Sequence, residues 1–387
     1  MKVACIGNMN NNMFCLVRYL RDQGIDAEML LLSHEQQHFL PDSDSYADTY
    51  TAYTRRLTWG SAPDFAKTPS QVIANDLAPY HMLLACNYAP AFIHKAQRRM
   101  DIFLPHGSDY YDVPFETAAQ GVPSPLASAQ LEAIRNAAWT FIPKMNQEQD
   151  RVWERIAPRG NFVHLPVPII YTPQYSPQAL ARHTIADETY RKVAALAQEP
   201  GLLVFHHTRH CWTQNTPATE HKGNDLLLRG LARHNERAAA PARLVTFEYG
   251  GDVPASKRLA NELGLAEFVH WMPRMPRKQI MPLLALSHLV ATEFAYSWIC
   301  GGVLYEALCM AKPVLCRRDD EYYQGMRLYP ALRATTANDI TMRLDEFAEN
   351  PQGYAETAAA GKAWLEDEVL RPSVDRIASI IHAQAQA

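Results

Sequence analysis

Short apolar runs alternate with amphipathic stretches along this 387-residue chain, twice over, with a cluster of prolines between the two series. That alternation is what most limits the possible folds. Residues 3–6 form an apolar run stopped by Gly7 and read as a buried strand. The next stretch places Met13, Leu16, Val17 and Leu20 on one helical face, with Gly24 as its C-terminal stop. Runs 29–32, 82–86, 102–104, 140–142 and 162–165 are further strand candidates, and 91–99, 126–137 and 147–156 have helical character. Residues 35–70, rich in Ser, Asp, Thr and Tyr, are expected to loop over the surface. Prolines 166, 168, 173 and 177 disfavour regular structure and mark a linker. The second series has strands at 202–205, 244–247, 268–271, 289–292 and 313–316. Its helices are at 224–234, 256–263, 278–287 and 302–310, with last helices at 354–370 and 374–384 joined at Pro372. Strand–helix alternation of this kind predicts an α/β fold, a parallel sheet with helices on both faces, in each half. The expected domains are 1–170 and 171–370, with 371–387 a helix returning to the first.

Composition narrows the function classes. Hydrophobic residues make up 48% and charged residues 20%, and the net charge is −4, so no basic footprint for nucleic acid is present. Seven cysteines without a CxxC pair fit reduced, buried thiols better than a disulfide or zinc framework. The first apolar stretch is too short for a signal peptide, and no run approaches the roughly 18 apolar residues of a membrane span. A cytoplasmic protein is expected, with peripheral contact at the inner membrane face left open.

Ligands of open parallel sheets sit beyond the carboxyl ends of the strands, so the loops there carry the candidates. Gly7-Asn8-Met9-Asn10-Asn11-Asn12 leads from strand to helix. It reads equally as a ligand loop, since helix N-termini favour anions, or as a polar turn; it lacks the GxGxxG spacing of a dinucleotide site. In His106-Gly107-Ser108-Asp109, the histidine could bond sugar hydroxyls or act as a base, or simply be satisfied by local backbone. His206-His207-Thr208-Arg209 is followed by His221-Lys222-Gly223-Asn224-Asp225. Arg209 and Lys222 there could neutralise a diphosphate at the mouth of a helix. A zinc site from His206, His207, His210 and His221 is the weaker rival. The glycines Gly250, Gly301 and Gly302 let backbone approach a ligand. Glu306 lies one turn into an apolar helix, where a carboxylate is costly unless paired. A ribose gripped through its two hydroxyls would answer that cost; an exposed helical Glu is the bland alternative.

Three segments, in order, resemble a GT-B glycosyltransferase of the glycogen-synthase-like retaining type, glycosyltransferase family 4. They are the strand–Arg–loop–Lys-Gly–helix of 204–228, the segment 244–263 followed by Glu267-Phe268-Val269-His270-Trp271-Met272-Pro273, and Gly301-Gly302-Val303-Leu304-Tyr305-Glu306-Ala307-Leu308-Cys309-Met310-Ala311-Lys312-Pro313-Val314. The resemblance implies two Rossmann-like domains whose parallel sheets face across a cleft. It implies His106 at the reacting sugar, Arg209 and Lys222 on the donor diphosphate, and Glu306 on the ribose. Cys300, Gly301, Gly302 and Val303 would meet the sugar or phosphate, and Gly7 would approach the phosphates. Asn8, His207, Gly250, Met272 and Trp298 complete the donor set, and Asn10 and Asp109 are assigned to the acceptor. No metal and no cofactor are implied.

One departure stands out: the family's acidic residue eight positions before the helical Glu is Trp298 here, which could stack on a sugar or fill the core. The implied reaction is transfer of a sugar from a nucleotide-sugar donor to an acceptor hydroxyl with retention. The acceptor is left open among a glycan, a lipid-linked molecule, a protein and a small molecule. The rivals are a sugar-nucleotide 2-epimerase and a catalytically silent GT-B protein that binds a nucleotide sugar or a partner.

Overall fold

The computed structural model describes the chain except residues 119–120, 145–146, 183–187, 217–219, 298 and 387. It divides into two compact units, Met1–Tyr171 with Asp367–Ala387, and Thr172–Glu366.

The first unit is built on a seven-stranded sheet. Its strands are β1 (Lys2–Ile6), β2 (Asp26–Leu31), β3 (Thr54–Arg56), β4 (Met82–Ala85), β5 (Ile102–Phe103), β6 (Trp139–Phe141) and β7 (Asn161–Val163). They lie in the order β3-β2-β1-β4-β5-β6-β7, every adjacent pair parallel. Side chains alternate across a strand, so β1 sends Val3 and Cys5 into one core and Ala4 and Ile6 into the other. Burial on both faces is why these strands read as unbroken apolar runs. The second unit has six parallel strands: β8 (Leu203–His206), β9 (Arg243–Phe247), β10 (Val269–Met272), β11 (Leu289–Ala291), β12 (Val314–Cys316) and β13 (Leu332–Arg333). Their order is β10-β9-β8-β11-β12-β13. The expected α/β class of two parallel-sheet units is what the chain forms.

Three local expectations are corrected. Residues 35–70 are more ordered than a surface loop. They hold three short 3-10 turns, the edge strand β3, and the helix Ala62–Lys67, which Ser61 and Asp64 start with a reciprocal capping box. Trp59 is fully buried here and stacks on Phe92 at 5.1 Å. Second, β13 and the helix Ala337–Glu349, capped by Thr336 and Asp339, stand where no element was expected. Third, the last helices are not broken at Pro372. The helix Ala355–Trp364 passes through a π-helical segment Leu365–Leu370 into Arg371–Gln386. Pro372 lies just past that π-helical segment, inside a continuous run of helix, so the ladder forgoes the bond its N–H would have made.

Candidate active site

In the second unit, β8 ends on a histidine-rich segment in which each ring has its own work. The His206 Nδ1–H donates to Ala291 O at 2.9 Å and its Nε2 accepts from Asn224 Nδ2 at 2.9 Å. Burial holds its pKa down at about 4 despite the Ala291 bond, so it is a neutral brace. His210 bonds Ser256 Oγ (2.9 Å) and Thr246 Oγ1 (3.0 Å), and burial lowers it to about 3. His221 donates through Nε2 to the carbonyls of Thr213 and Thr216. Among the described residues no group of three His, Cys, Asp or Glu side chains is placed to share a metal ion.

His207 turns to Glu306. Its Nε2 lies 2.5 Å from Oε2, and Arg277 Nε donates to Oε1 at 2.6 Å. All three residues are buried. Burial pushes the Glu306 carboxyl up, but the charge of Arg277, then His207, outweighs it and holds the group down at about 2. The cost of a carboxylate in this apolar helix is therefore met from within the unit. Arg277 escapes sequence reasoning because an Arg after Met-Pro looks like any surface cation. Yet it begins the helix Arg277–Ala285 and folds inward.

Glu306 rises from the helix Gly302–Cys309. Its N-cap, Gly301, offers no side-chain cap. Among the described residues a Cβ on Gly301 would meet nothing within 4 Å, whereas one on Gly302 would lie 3.9 Å from Arg277 Nη2 and 4.0 Å from Glu306 Oε1. The start of this helix therefore lies beside a guanidinium and the Glu306 carboxylate. Cys300 and Val303 are half-buried there, and burial pushes the Cys300 thiol up to about 12. Trp298 lies outside the described residues.

Lys222 and Arg209 differ. Lys222 Nζ donates to Glu293 Oε2 at 2.9 Å in a largely buried pair, whereas Arg209, 41% exposed, lies 3.8 Å from Glu220. Glu293 is thus the counter-ion of Lys222. The segment between the two cations is pinned by Asp252. That carboxylate accepts from Trp212 N, Thr213 N, Thr213 Oγ1 and Thr216 Oγ1 at 2.6–2.9 Å. Desolvation opposes its charge, but these bonds hold it at about 2. Gly250 (φ +115°) passes so close to His210 that a Cβ would lie 2.4 Å from its carbonyl oxygen, so packing alone demands glycine. Met272 closes β10 with 2% exposure.

In the first unit, the carboxyl ends of β1, β4 and β5 carry a polar cluster. Gly7 (φ +88°) could not take a Cβ without crowding Cys86 O and Sγ at 3.0 Å. Asn8 is buried: its Nδ2 donates to Asn11 Oδ1 and Phe39 O, and its Oδ1 accepts from Phe14 N. Asn10 is exposed, in the left-handed region at φ 51°. Glu35, unforeseen, is 1% exposed and accepts from Asn8 N and from Leu32 N at 2.8 Å. Burial pushes it up to about 8 against those two bonds. His106 meets Asn12 Nδ2 through Nε2, and burial lowers it to about 3. Asp109 accepts from the amides of His106, Gly107 and Asn87 at 2.9–3.0 Å. Its carboxylate thus fastens the His106 loop to the end of β4.

No family model matches the chain, and no curated protein matches it in sequence. Solved structures do match in fold. Anabaena HepE in complex with UDP-glucose shares 14% identity at a TM-score of 0.65, covering 100% of both chains. Sucrose-phosphate synthase from Thermosynechococcus elongatus shares 12% at 0.64, covering 100% of this chain and 99% of that one. A protein of Listeria monocytogenes assigned as a UDP-N-acetylglucosamine 2-epimerase shares 14% at 0.58, covering 98% and 95%. At such identities the likeness defines the fold, and that fold is GT-B.

Proposed function

We propose that the chain is a glycosyltransferase that moves a sugar from a nucleotide-sugar donor to an acceptor hydroxyl, with retention and without a metal. The observation that carries this reading is the donor-side constellation on one sheet edge of the second unit. An ionised, buried Glu306 stands beside the glycine-led start of its helix, and the cations Lys222 and Arg209 lie on the loop after β8. A GT-B fold also found in proteins solved with UDP and UDP-glucose supports it.

In this reading Glu306 takes the ribose, and the amides of Gly301–Val303 with Arg209 and Lys222 take the diphosphate. Preorganised charge of this kind stabilises the oxyanion as the bond from anomeric carbon to phosphate oxygen breaks. The acceptor oxygen bonds that carbon from the same face, and its proton passes to the departing phosphate oxygen, so no enzymic nucleophile is needed. His106, kept neutral by burial, serves as a hydrogen-bonding group to the sugar rather than an acid. Likeness to an epimerase-assigned structure keeps 2-epimerisation as the second reading.

The test is a thermal-shift screen with UDP-, GDP-, dTDP- and CMP-sugars, with and without EDTA, followed by product analysis. A ligand of the folded state raises the midpoint by mass action. An EDTA-insensitive shift with one nucleotide class, and turnover that falls sharply in Arg209→Ala and Lys222→Ala, is expected. Unchanged turnover in both variants would remove the diphosphate assignment. A C2-inverted nucleotide sugar with no transfer would install the epimerase.

A further inference from the structure

The cluster of Arg277, Glu306 and His207 is hard to explain as scaffolding. A buried ion pair is often less stable than apolar residues of similar volume. Arg277 is also the first residue of its helix, with Pro276 giving no side-chain cap, and a cation there opposes the helix dipole. His207 adds a third unfavourable feature, a buried Nδ1 with no hydrogen-bond partner among the described residues.

The arrangement does fit a task. An ionised carboxylate has about four acceptor positions, two on each oxygen. Arg277 occupies one on Oε1 and His207 one on Oε2. Among the described residues the pair fixes the plane of the carboxylate and leaves each oxygen able to accept once more, a pattern that matches two neighbouring hydroxyls. Gly302, where a Cβ would come into contact with Arg277 Nη2 and Glu306 Oε1, borders that face. We propose that Arg277 and His207 are positioning residues, holding Glu306 for the 2′- and 3′-hydroxyls of a nucleotide so that the site selects ribonucleotides over 2′-deoxyribonucleotides. This rests on the donor reading above and adds to it how the carboxylate is held and what it rejects.

A 2′-deoxy ligand leaves one buried acceptor position unanswered. Hydrogen bonds to charged groups are strong enough that the expected discrimination is about tenfold to hundredfold. The experiment is calorimetric titration of the full chain with UDP, 2′-deoxy-UDP, GDP and 2′-deoxy-GDP, with wild type, Arg277→Lys, Arg277→Gln and His207→Gln compared. Wild type is expected to prefer the ribose form of whichever base binds. Arg277→Gln is expected to bring that ratio toward one, with Arg277→Lys keeping an intermediate ratio because it restores the charge without the fork. If Arg277→Gln does not fold, as judged by circular dichroism, Arg277→Lys and His207→Gln carry the comparison. A ratio unchanged from wild type in every folded variant overturns the inference. Equal wild-type binding of ribose and deoxyribose forms also overturns it while leaving the donor reading intact; no binding of any of the four overturns it too, and the donor reading with it when the dTDP- and CMP-sugars of the thermal-shift screen also fail to bind.

Discussion

Two carboxyl groups at the sheet edges, Glu35 and Glu306, are both buried and are driven in opposite directions. Glu306 faces a guanidinium and an imidazole and stays ionised, whereas Glu35 has two backbone amides and only the more distant Arg56 against its desolvation. Neutral amides do not offset the loss of water around a full charge as a cation does. The consequence for Glu35 has a definite sign. Its folded pKa, about 8, lies above its ordinary value of 4.5, so the folded state binds the extra proton between the two. Its contribution to stability is full below about pH 4.5 and is lost as pH rises toward 8. Melting temperature, followed from pH 5 to 9, should fall more steeply in wild type than in Glu35→Gln, which carries no titrating proton. Parallel curves would mean that Glu35 is already ionised in the fold. Neither partnership was legible beforehand. Glu306 stood out as a lone acid in an apolar helix, but its partner lies 29 positions upstream, and Glu35 sits in a stretch whose polar composition reads as loop.

Elements with long apolar periods were readable, because a parallel strand buried on both faces and its crossover helix leave plain marks. The short, capped pieces were not. β3 has three residues, two of them exposed arginines, and the six-residue helix Ala62–Lys67 announces itself through Ser61/Asp64 rather than through an apolar face; the longer helix Ala337–Glu349 carries both signals, the Thr336/Asp339 cap and an apolar face of Ile340, Leu344 and Phe347. The basic run 94–99 shows the opposite hazard, a charge cluster that looks functional. It borders a recess of about 560 Å³, yet Lys95, Arg98 and Arg99 reach the carbonyls of Phe65, of Leu77 and Tyr80, and of Asn136. These lie at the ends of three helices, where cations are favourable. The segment between Arg209 and Lys222, atypical in sequence, is ordered by four hydrogen bonds to a single acid, Asp252. Asp252→Ala would leave two backbone amides and two hydroxyls to water, and at about 1 kcal/mol for each bond to a charged group, a conservative figure, roughly 4 kcal/mol of local order is at stake. Amides of Trp212 and Thr213 should then exchange hydrogen orders of magnitude faster, while β8 and β9 keep their protection. If the Asp252→Ala segment stays as protected as in wild type, the bonds to His221 and Ser256 are its true anchors.

At the scale of the molecule, the chain's final stretch belongs to the unit it began with. Asp367–Ala387 groups with Met1–Tyr171. Ile377, Ala378, Ile380 and Ile381 of the last helix enter the core formed by Val3, Cys5, Leu16 and Val17. Ser373 Oγ donates to Pro166 O and Gln23 Nε2 to Asp375 Oδ1. The apolar contribution decides what its loss would do. Full burial of an Ile side chain is worth about 1.5–3 kcal/mol, so three of them amount to roughly 5–9 kcal/mol as an upper bound, comparable with the whole stability of an ordinary domain. The second unit, Thr172–Glu366, holds all of its own core residues upstream of that helix. A chain ending at Glu366 should therefore lose the first unit selectively. Limited proteolysis is expected to degrade residues 1–171 and leave a fragment near 172–366 that still melts cooperatively. A synthetic peptide of residues 367–387, added in excess, should restore protection to the first unit, because the missing surface is one helix face rather than a strand within the sheet. Protection of residues 1–171 in the truncated chain without peptide would show that the sheet and its crossover helices suffice, and that the returning helix adds little to the stability of the unit it covers.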